Sequence, residues 1–93
     1  MEADTQLREI QDFFPGLAIG RSDLLSGAEL LARLPVLART LRGISTERLN
    51  GKKLFLHVSM TPDRRLYVTN EGVLMVDPSA PDKDIKAFLE SNI

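Results

Sequence analysis

The chain has 93 residues, 43% of them hydrophobic and 5% aromatic, which is enough for one small domain over residues 1–93 and no more. Its 12 basic and 13 acidic residues give a net charge of −1, which excludes a strong general attraction to nucleic acid or to acidic membranes. Cysteine is absent, which excludes disulfides, thiolate catalysis and Cys-ligated zinc, and we expect a cytoplasmic location.

An amphipathic helix is predicted over residues 3–14. Its apolar residues recur at helical spacing: Leu7, Ile10 and Phe14. Pro15 ends this helix, because a proline disfavours helical geometry in the residue before it. Residues 17–23 are predicted to form a loop that packs on the core.

A second helix is predicted to begin at Ser26, because Ser26 and Glu29 match a capping box. Six apolar residues at helical spacing continue it: Leu30, Leu31, Leu34, Leu37, Ala38 and Leu41. Pro35 interrupts this pattern and costs about 3 kcal/mol inside a straight helix. Two alternatives follow, a kinked helix over residues 27–42 or a break at Pro35. We favour the break, with Gly43 in a left-handed cap after the second piece.

A single helical turn is predicted over residues 45–49, and the apolar period then changes to two. The predicted strands are residues 54–60, 66–69 and 73–76. Turn residues join them, so we expect an antiparallel meander whose last strand is the most buried. A closing helix over residues 80–91 is predicted, with Ser79 as its cap. The fold class is therefore α+β: two or three N-terminal helices, a three-stranded antiparallel β-meander and a C-terminal helix.

The sequence offers few side chains for catalysis or metal binding. His57 is the only histidine, and Ser59 beside it lacks the glycine pattern of a nucleophile elbow. We predict a half-exposed structural role for His57. Asp77, Asp82 and Asp84 crowd one loop and helix start, but they fit no calcium loop, and the helix dipole accounts for them. We therefore predict a protein that is not an enzyme and that uses no metal and no cofactor.

The charges are unevenly distributed along the chain. Residues 1–20 hold four acids and one base, residues 21–65 hold nine bases and four acids, and residues 66–93 hold five acids and two bases. Two interpretations remain open. The acidic ends fold back on the basic middle, or the basic middle meets an anionic partner.

Apolar residues are plentiful near the N-terminus, and surface left over after core formation typically marks an interface. We predict a small non-catalytic protein–protein interaction module, an adaptor, inhibitor or regulatory subunit that forms a homodimer and binds a protein partner with an acidic patch. The predicted partner-binding residues are Phe13, Phe14, Leu17, Arg33, Arg39, Arg42, Arg64 and Arg65. The alternative, that all the apolar residues pack in the core of the monomer, remains open.

A nucleic-acid-binding regulator is the second interpretation. Helices followed by a hairpin with Arg64 and Arg65 at its turn resemble the layout of a winged helix. That layout implies that the helix carrying Arg39 and Arg42 enters the major groove while the hairpin touches phosphates. The small net charge makes this interpretation the less favoured one. No membrane association is expected, since no apolar run reaches the ~18–20 residues of a span.

Overall fold

A computed structural model describes residues 2–93, which form an α+β fold of four α-helices and one four-stranded sheet. The helices are α1 (Glu2–Phe13), α2 (Gly27–Arg42), α3 (Thr46–Leu49) and α4 (Asp82–Asn92). The strands are β1 (Ala18–Arg21), β2 (Lys53–Leu56), β3 (Leu66–Val68) and β4 (Val73–Val76). Within residues 2–93, no helix combines the length and the hydropathy needed to cross a lipid bilayer. The predicted α+β class is confirmed.

The sheet is mixed, and its strand order is β1-β2-β4-β3. β1, β2 and β4 run parallel, and β3 pairs antiparallel with β4. The predicted three-stranded antiparallel meander is therefore wrong, because β1 replaces the loop predicted over residues 17–23 and β4 lies between β2 and β3. The period of a strand shows which of its faces is buried but does not identify its neighbours.

β1 is held on both of its edges. One edge hydrogen-bonds to β2 in parallel register. On the other edge, the side-chain amide of Gln11 in α1 accepts from the backbone N–H of Ile19 at 2.7 Å and donates to the carbonyl of Leu17. This carboxamide bonds two of the backbone groups that a further strand would use, so the outer edge of β1 is partly covered.

α2 begins where the capping box predicts, and its bounds are those of the continuous alternative over residues 27–42. The hydroxyl of Ser26 accepts from the backbone N–H of Glu29 at 3.1 Å. The helix continues through Pro35, so the predicted break is wrong. Buried residues on both sides of the proline share one stripe: Leu30, Leu34, Leu37, Ala38 and Leu41. Burial of that stripe outweighs the proline penalty. Gly43 has a φ of −79°, so the predicted left-handed cap is also wrong.

Replacing Ser26 with alanine is expected to lower the free energy of unfolding by about 1 kcal/mol, because the N–H of Glu29 loses its acceptor. Urea unfolding followed by circular dichroism measures this loss. Ser91→Ala is the matched control, since Ser91 is an exposed serine within α4 and the change there should be close to neutral. Equal unfolding midpoints for the two variants would contradict a stabilising cap.

Two turns and the position of the last strand follow the sequence prediction. Gly51 and Gly72 have φ values of +84° and +85°, in the left-handed region that favours glycine. β4 lies inside the sheet, and its residues Leu74 and Val76 are 2% and 1% exposed. β2, by contrast, ends at Leu56 and does not extend over residues 54–60 as predicted.

All four helices lie on one side of the sheet. Each contributes buried residues to a single core cluster, which also contains Leu54 and Leu56 of β2 and Leu74 and Val76 of β4. Because successive strand residues point to opposite faces, the residues between these ones face away from the helices. None of the four α-helices packs on that second face, which we call the open sheet face.

Candidate interaction surfaces

A groove between α1 and α2 runs along the outer surface of the helical layer. It consists of two adjoining depressions of about 340 and 240 Å³. Glu9, Ile10, Ala38 and Arg42 line both depressions, and Phe13 lies at one end. The groove therefore combines an apolar floor with a charged rim. We call it the α1–α2 groove.

Phe13 is the most exposed apolar residue of this groove. Its side chain is 65% exposed, and its ring packs edge-on against Phe14 with 5.0 Å between the ring centroids. The guanidinium carbon of Arg42 lies 5.8 Å from the Phe13 centroid, a cation–π arrangement. Aromatic residues and arginine are the residue types enriched at the centres of protein interfaces.

Phe14 and Leu17 were predicted at the same surface, but the structure places them in the core. They are 5% and 0% exposed. Phe14 follows Leu7 by seven residues and shares its buried side, whereas Phe13 is turned about 100° away on the helix. Of these three predicted residues, only Phe13 is accessible to a partner.

Arg33, also predicted to bind a partner, is engaged inside the fold. Its guanidinium donates to the carbonyl oxygens of Pro78 at 2.6 Å and Ala80 at 2.9 Å, and it pairs with the carboxylate of Asp82. These bonds fix the segment that leads into α4 against the side of α2. Arg33 therefore has a structural role in this conformation.

Two ion pairs connect the basic middle of the chain with its acidic ends. Arg21 bonds Asp4 of α1 at 2.8 Å, and Arg33 pairs with Asp82 of α4. Arg48 adds a hydrogen bond to a backbone carbonyl of α4 at 2.9 Å. The fold-back interpretation is thus realised for these three arginines. Each exposed pair contributes under about 1 kcal/mol, so they orient the ends more than they stabilise them.

The four arginines of the winged-helix interpretation do not share one surface. Arg39 and Arg42 lie at the end of α2, from which the chain returns through α3 to the start of β2. Arg64 and Arg65 precede β3, whose first residue pairs with the last residue of β4. They therefore lie near the end of the strands that is opposite to the start of β2. The hairpin turn lies at residues 69–72, so neither arginine is at its tip. The mixed sheet is not the predicted winged-helix layout.

Four residues form the central row of the open sheet face, one from each strand: Gly20, Phe55, Met75 and Tyr67. The ring of Phe55 leans over β1, and its Cδ2 is 3.1 Å from the point that a Cβ on Gly20 would occupy. The guanidinium carbon of Arg64 lies 4.2 Å from the Tyr67 ring centroid. None of the four belongs to the hydrophobic core cluster.

The strands carry only positive charge, whereas the helices carry charges of both signs. The strands contain no acidic residue, and their two charged residues are Arg21 and Lys53, both basic. Nine of the 13 acidic residues lie in the helices. Lys53 is exposed and shares the strand side of Phe55, so it adds positive charge to the open sheet face.

Asp77 is a buried carboxylate that joins two loops at the end of the sheet. It is 4% exposed, its Oδ2 accepts from the backbone N–H of Ser59 at 3.0 Å, and its Oδ1 accepts from the N–H and hydroxyl of Ser79 at 2.9 and 2.7 Å. Burial raises the pKa of Asp77, but these hydrogen bonds and the nearby charge of His57 outweigh it, so the pKa lies below its ordinary value of 3.8. Ser79 is therefore not the predicted cap of α4, which begins at Asp82 without a side-chain cap.

His57 is more buried than the half-exposed position predicted, at 9% exposure. Its Nε2 lies 3.2 Å from the carbonyl oxygen of Arg65, and its ring meets Tyr67 edge-on with 5.7 Å between centroids. These contacts tie the end of β2 to the start of β3. Among residues 2–93, no three acidic or histidine side chains are grouped so that they could hold a metal ion.

The sequence prediction omitted the open sheet face altogether. The predicted most buried strand, β4, is buried on one face only: Leu74 and Val76 are buried, while Val73 and Met75 remain partly exposed. β4 is apolar at all four positions, although helices cover only one face of the sheet. Apolar residues on its other face indicate a second contact surface. The sequence matches no known protein-family model, and no curated protein is significantly similar to it.

Proposed function

We propose that this protein is a small non-catalytic protein–protein interaction module that self-associates through the α1–α2 groove. The observation that carries the proposal is the exposed ring of Phe13, with Arg42 beside it, at the end of the α1–α2 groove. A cytoplasmic location and an adaptor or regulatory role remain predictions that accompany this proposal.

The charges around the α1–α2 groove favour a second copy of the chain as its occupant. α1 exposes Glu9 and Asp12, which are three residues apart and share a helix face, and α2 exposes Arg39 and Arg42. In a two-fold symmetric interface, each surface meets its own copy in reverse orientation. The acids of one α1 then approach the arginines of the other α2, and the two Phe13 rings lie close to the axis. Both halves of a complementary interface are thus present on one chain.

Replacing Phe13 with aspartate is expected to convert a dimer into a monomer. Light scattering over a concentration series should give twice the monomer mass of 10.4 kDa for the wild type. Because Phe13 is 65% exposed, the variant should keep the wild-type thermal midpoint. Leu24→Asp is the matched control, since Leu24 is 85% exposed, lies outside the groove, and should leave the dimer intact.

Two results would contradict the proposal. A wild type that stays monomeric at every concentration would exclude self-association. A dimer that survives Phe13→Asp but not Leu24→Asp would place the interface elsewhere. If the wild type is monomeric and an acidic amphipathic peptide binds in a way that depends on Phe13 and Arg39, the occupant of the groove is an acidic protein partner instead.

A further inference from the structure

The open sheet face is a second surface, separate from the α1–α2 groove and on the opposite side of the sheet. We propose that it binds single-stranded nucleic acid. In this proposal the bases stack on Phe55 and on the Tyr67–Arg64 pair, and Lys53 contacts a phosphate. This interaction is independent of the proposed self-association, which uses the helical layer and leaves the open sheet face accessible.

The central row supplies the stacking surface. Strands in a sheet are about 4.8 Å apart, so Phe55 on β2 and Tyr67 on β3 are separated by about 10 Å with Met75 between them. Together they form a continuous apolar shelf across three strands. Aromatic rings and stacked arginine planes are the groups on which unpaired bases lie in proteins that bind single strands. Arg64 already stacks on Tyr67, at 4.2 Å.

Gly20 makes room for one end of this shelf. Two carbons of the Phe55 ring, Cδ2 and Cε2, lie 3.1 and 3.5 Å from the point that a Cβ on Gly20 would occupy. A larger side chain at this position would push the ring away from β1. A substitution at Gly20 can therefore displace the Phe55 ring while the Phe55 side chain itself stays unchanged.

Charge decides between the candidate occupants of the open sheet face. Lys53 and Arg64 are exposed beside the row, whereas Asp77, at the end of the sheet, is 4% exposed and bonded to three donors. The exposed acids Asp63 and Glu71 lie in the segments that flank β3 in sequence and not in a strand.

A second copy packed face to face would bring Lys53 and Arg64 against their equivalents. The carboxylates of an acidic peptide would pair with the cations, but the peptide would offer no planar rings to stack on Phe55 and Tyr67. A duplex keeps its bases stacked on each other and unavailable to the shelf. A single strand offers phosphates to the cations and unpaired bases to the aromatic rings, and we therefore favour it as the occupant.

Fluorescence anisotropy with labelled oligouridylate and oligothymidylate tests the proposal, using strands of about 12 nucleotides, within the usual site size of ~4–16. Both single strands should bind, and the pair distinguishes RNA from DNA preference. A matched duplex and polyglutamate should not bind appreciably. Because two cations, Lys53 and Arg64, face the strand, the logarithm of affinity should fall against the logarithm of salt concentration with a slope of about −1.4.

Variants of the shelf separate stacking from charge. Phe55→Leu and Gly20→Val should each weaken binding about five-fold or more, since one base loses its stacking partner. Ala18→Val is the matched control, because it adds bulk on the same strand and the same face but at the position paired with Lys53 and not with Phe55. Circular dichroism confirms that each variant is folded.

Several outcomes would overturn the proposal: no binding of either single strand at low salt, equal binding of polyglutamate or duplex, or wild-type affinity in both folded shelf variants. Loss of the dimer in Gly20→Val, measured by light scattering, would assign this face to a second copy and would equally overturn it. Loss of the dimer in Phe13→Asp with oligonucleotide binding retained supports two separate surfaces.

Discussion

Replacing Leu74 with alanine is expected to lower the free energy of unfolding by about 2–5 kcal/mol. Leu74 is 2% exposed and lies in β4, paired with Leu54 of β2 on one side and Val68 of β3 on the other. The strands on both sides hold the backbone of β4 in place. The space left by the side chain therefore persists as a cavity between the sheet and the helices, and a cavity that cannot collapse gives the larger losses in this range.

Denaturant unfolding at equilibrium measures this loss for Leu74→Ala. Met75→Ala is the internal control, because Met75 is the next residue of the same strand and faces the open side, where it is only partly buried. Its loss should be less than half as large, since its removal leaves no enclosed cavity. A loss below about 1 kcal/mol for Leu74→Ala, the size expected for a peripheral site, would contradict close packing of the helices on β4.

The second large effect is expected at Asp77. Asp77→Ala removes the acceptor of three hydrogen bonds from Ser59 and Ser79 at the end of the sheet. Backbone donors left without an acceptor in a partly buried position cost about 1–3 kcal/mol each, so we expect a loss of about 2–3 kcal/mol. Ser79→Ala, which removes only the hydroxyl donor, should lose much less. Similar losses for the two variants would contradict the role of the carboxylate as a link between the two loops.

The same carboxylate makes stability depend on pH in a defined direction. The pKa of Asp77 is lower in the folded protein than its ordinary value of 3.8, so the unfolded chain takes up a proton first as the pH falls. Its stabilising contribution is complete at neutral pH and is lost as the pH falls below about 4 and through the folded pKa. Asp77→Asn should show a flatter decline of stability with acidification. A decline as steep as that of the wild type would assign the acid sensitivity to other carboxyl groups.

The parts of the fold that depend on neighbouring residues alone could be predicted from the sequence. The cap at Ser26 needs only a hydroxyl three residues before a backbone N–H, and the turns at Gly51 and Gly72 need only a residue that tolerates positive φ. The buried stripe of α2 likewise follows from its own spacing. Each of these features is decided within a few residues, which is the range that a local pattern describes.

The parts that depend on distant residues could not be predicted in this way. β1 has four residues, and it is a strand because β2 pairs with it on one side and Gln11 bonds it on the other. The insertion of β4 between β2 and β3 leaves no trace in the apolar alternation of any of the three strands. The continuity of α2 through Pro35 was also decided by the core, since the stripe on both sides of the proline packs on the same sheet.

For the candidate surfaces too, local patterns could be predicted from the sequence, whereas accessibility depends on distant residues. Two adjacent phenylalanines indicated an interface, but which ring is accessible depends on the side that α1 turns to the sheet, and the seven-residue spacing from Leu7 to Phe14 already favoured burial of Phe14. In the sequence, Arg33 is an arginine of the same predicted helical region as Arg39 and Arg42, and nothing local sets it apart from them. Only the path of the chain before α4, with its carbonyl oxygens turned toward Arg33, distinguishes it.

The amide of Gln11 has a consequence for misassembly. A sheet with two free edges can recruit a strand at each end and grow without limit into a fibre. The Gln11 side chain already bonds the N–H of Ile19 and the carbonyl of Leu17, two of the backbone groups that a strand added to β1 would need. A further strand is therefore expected to add more readily at β3, the other edge of the sheet.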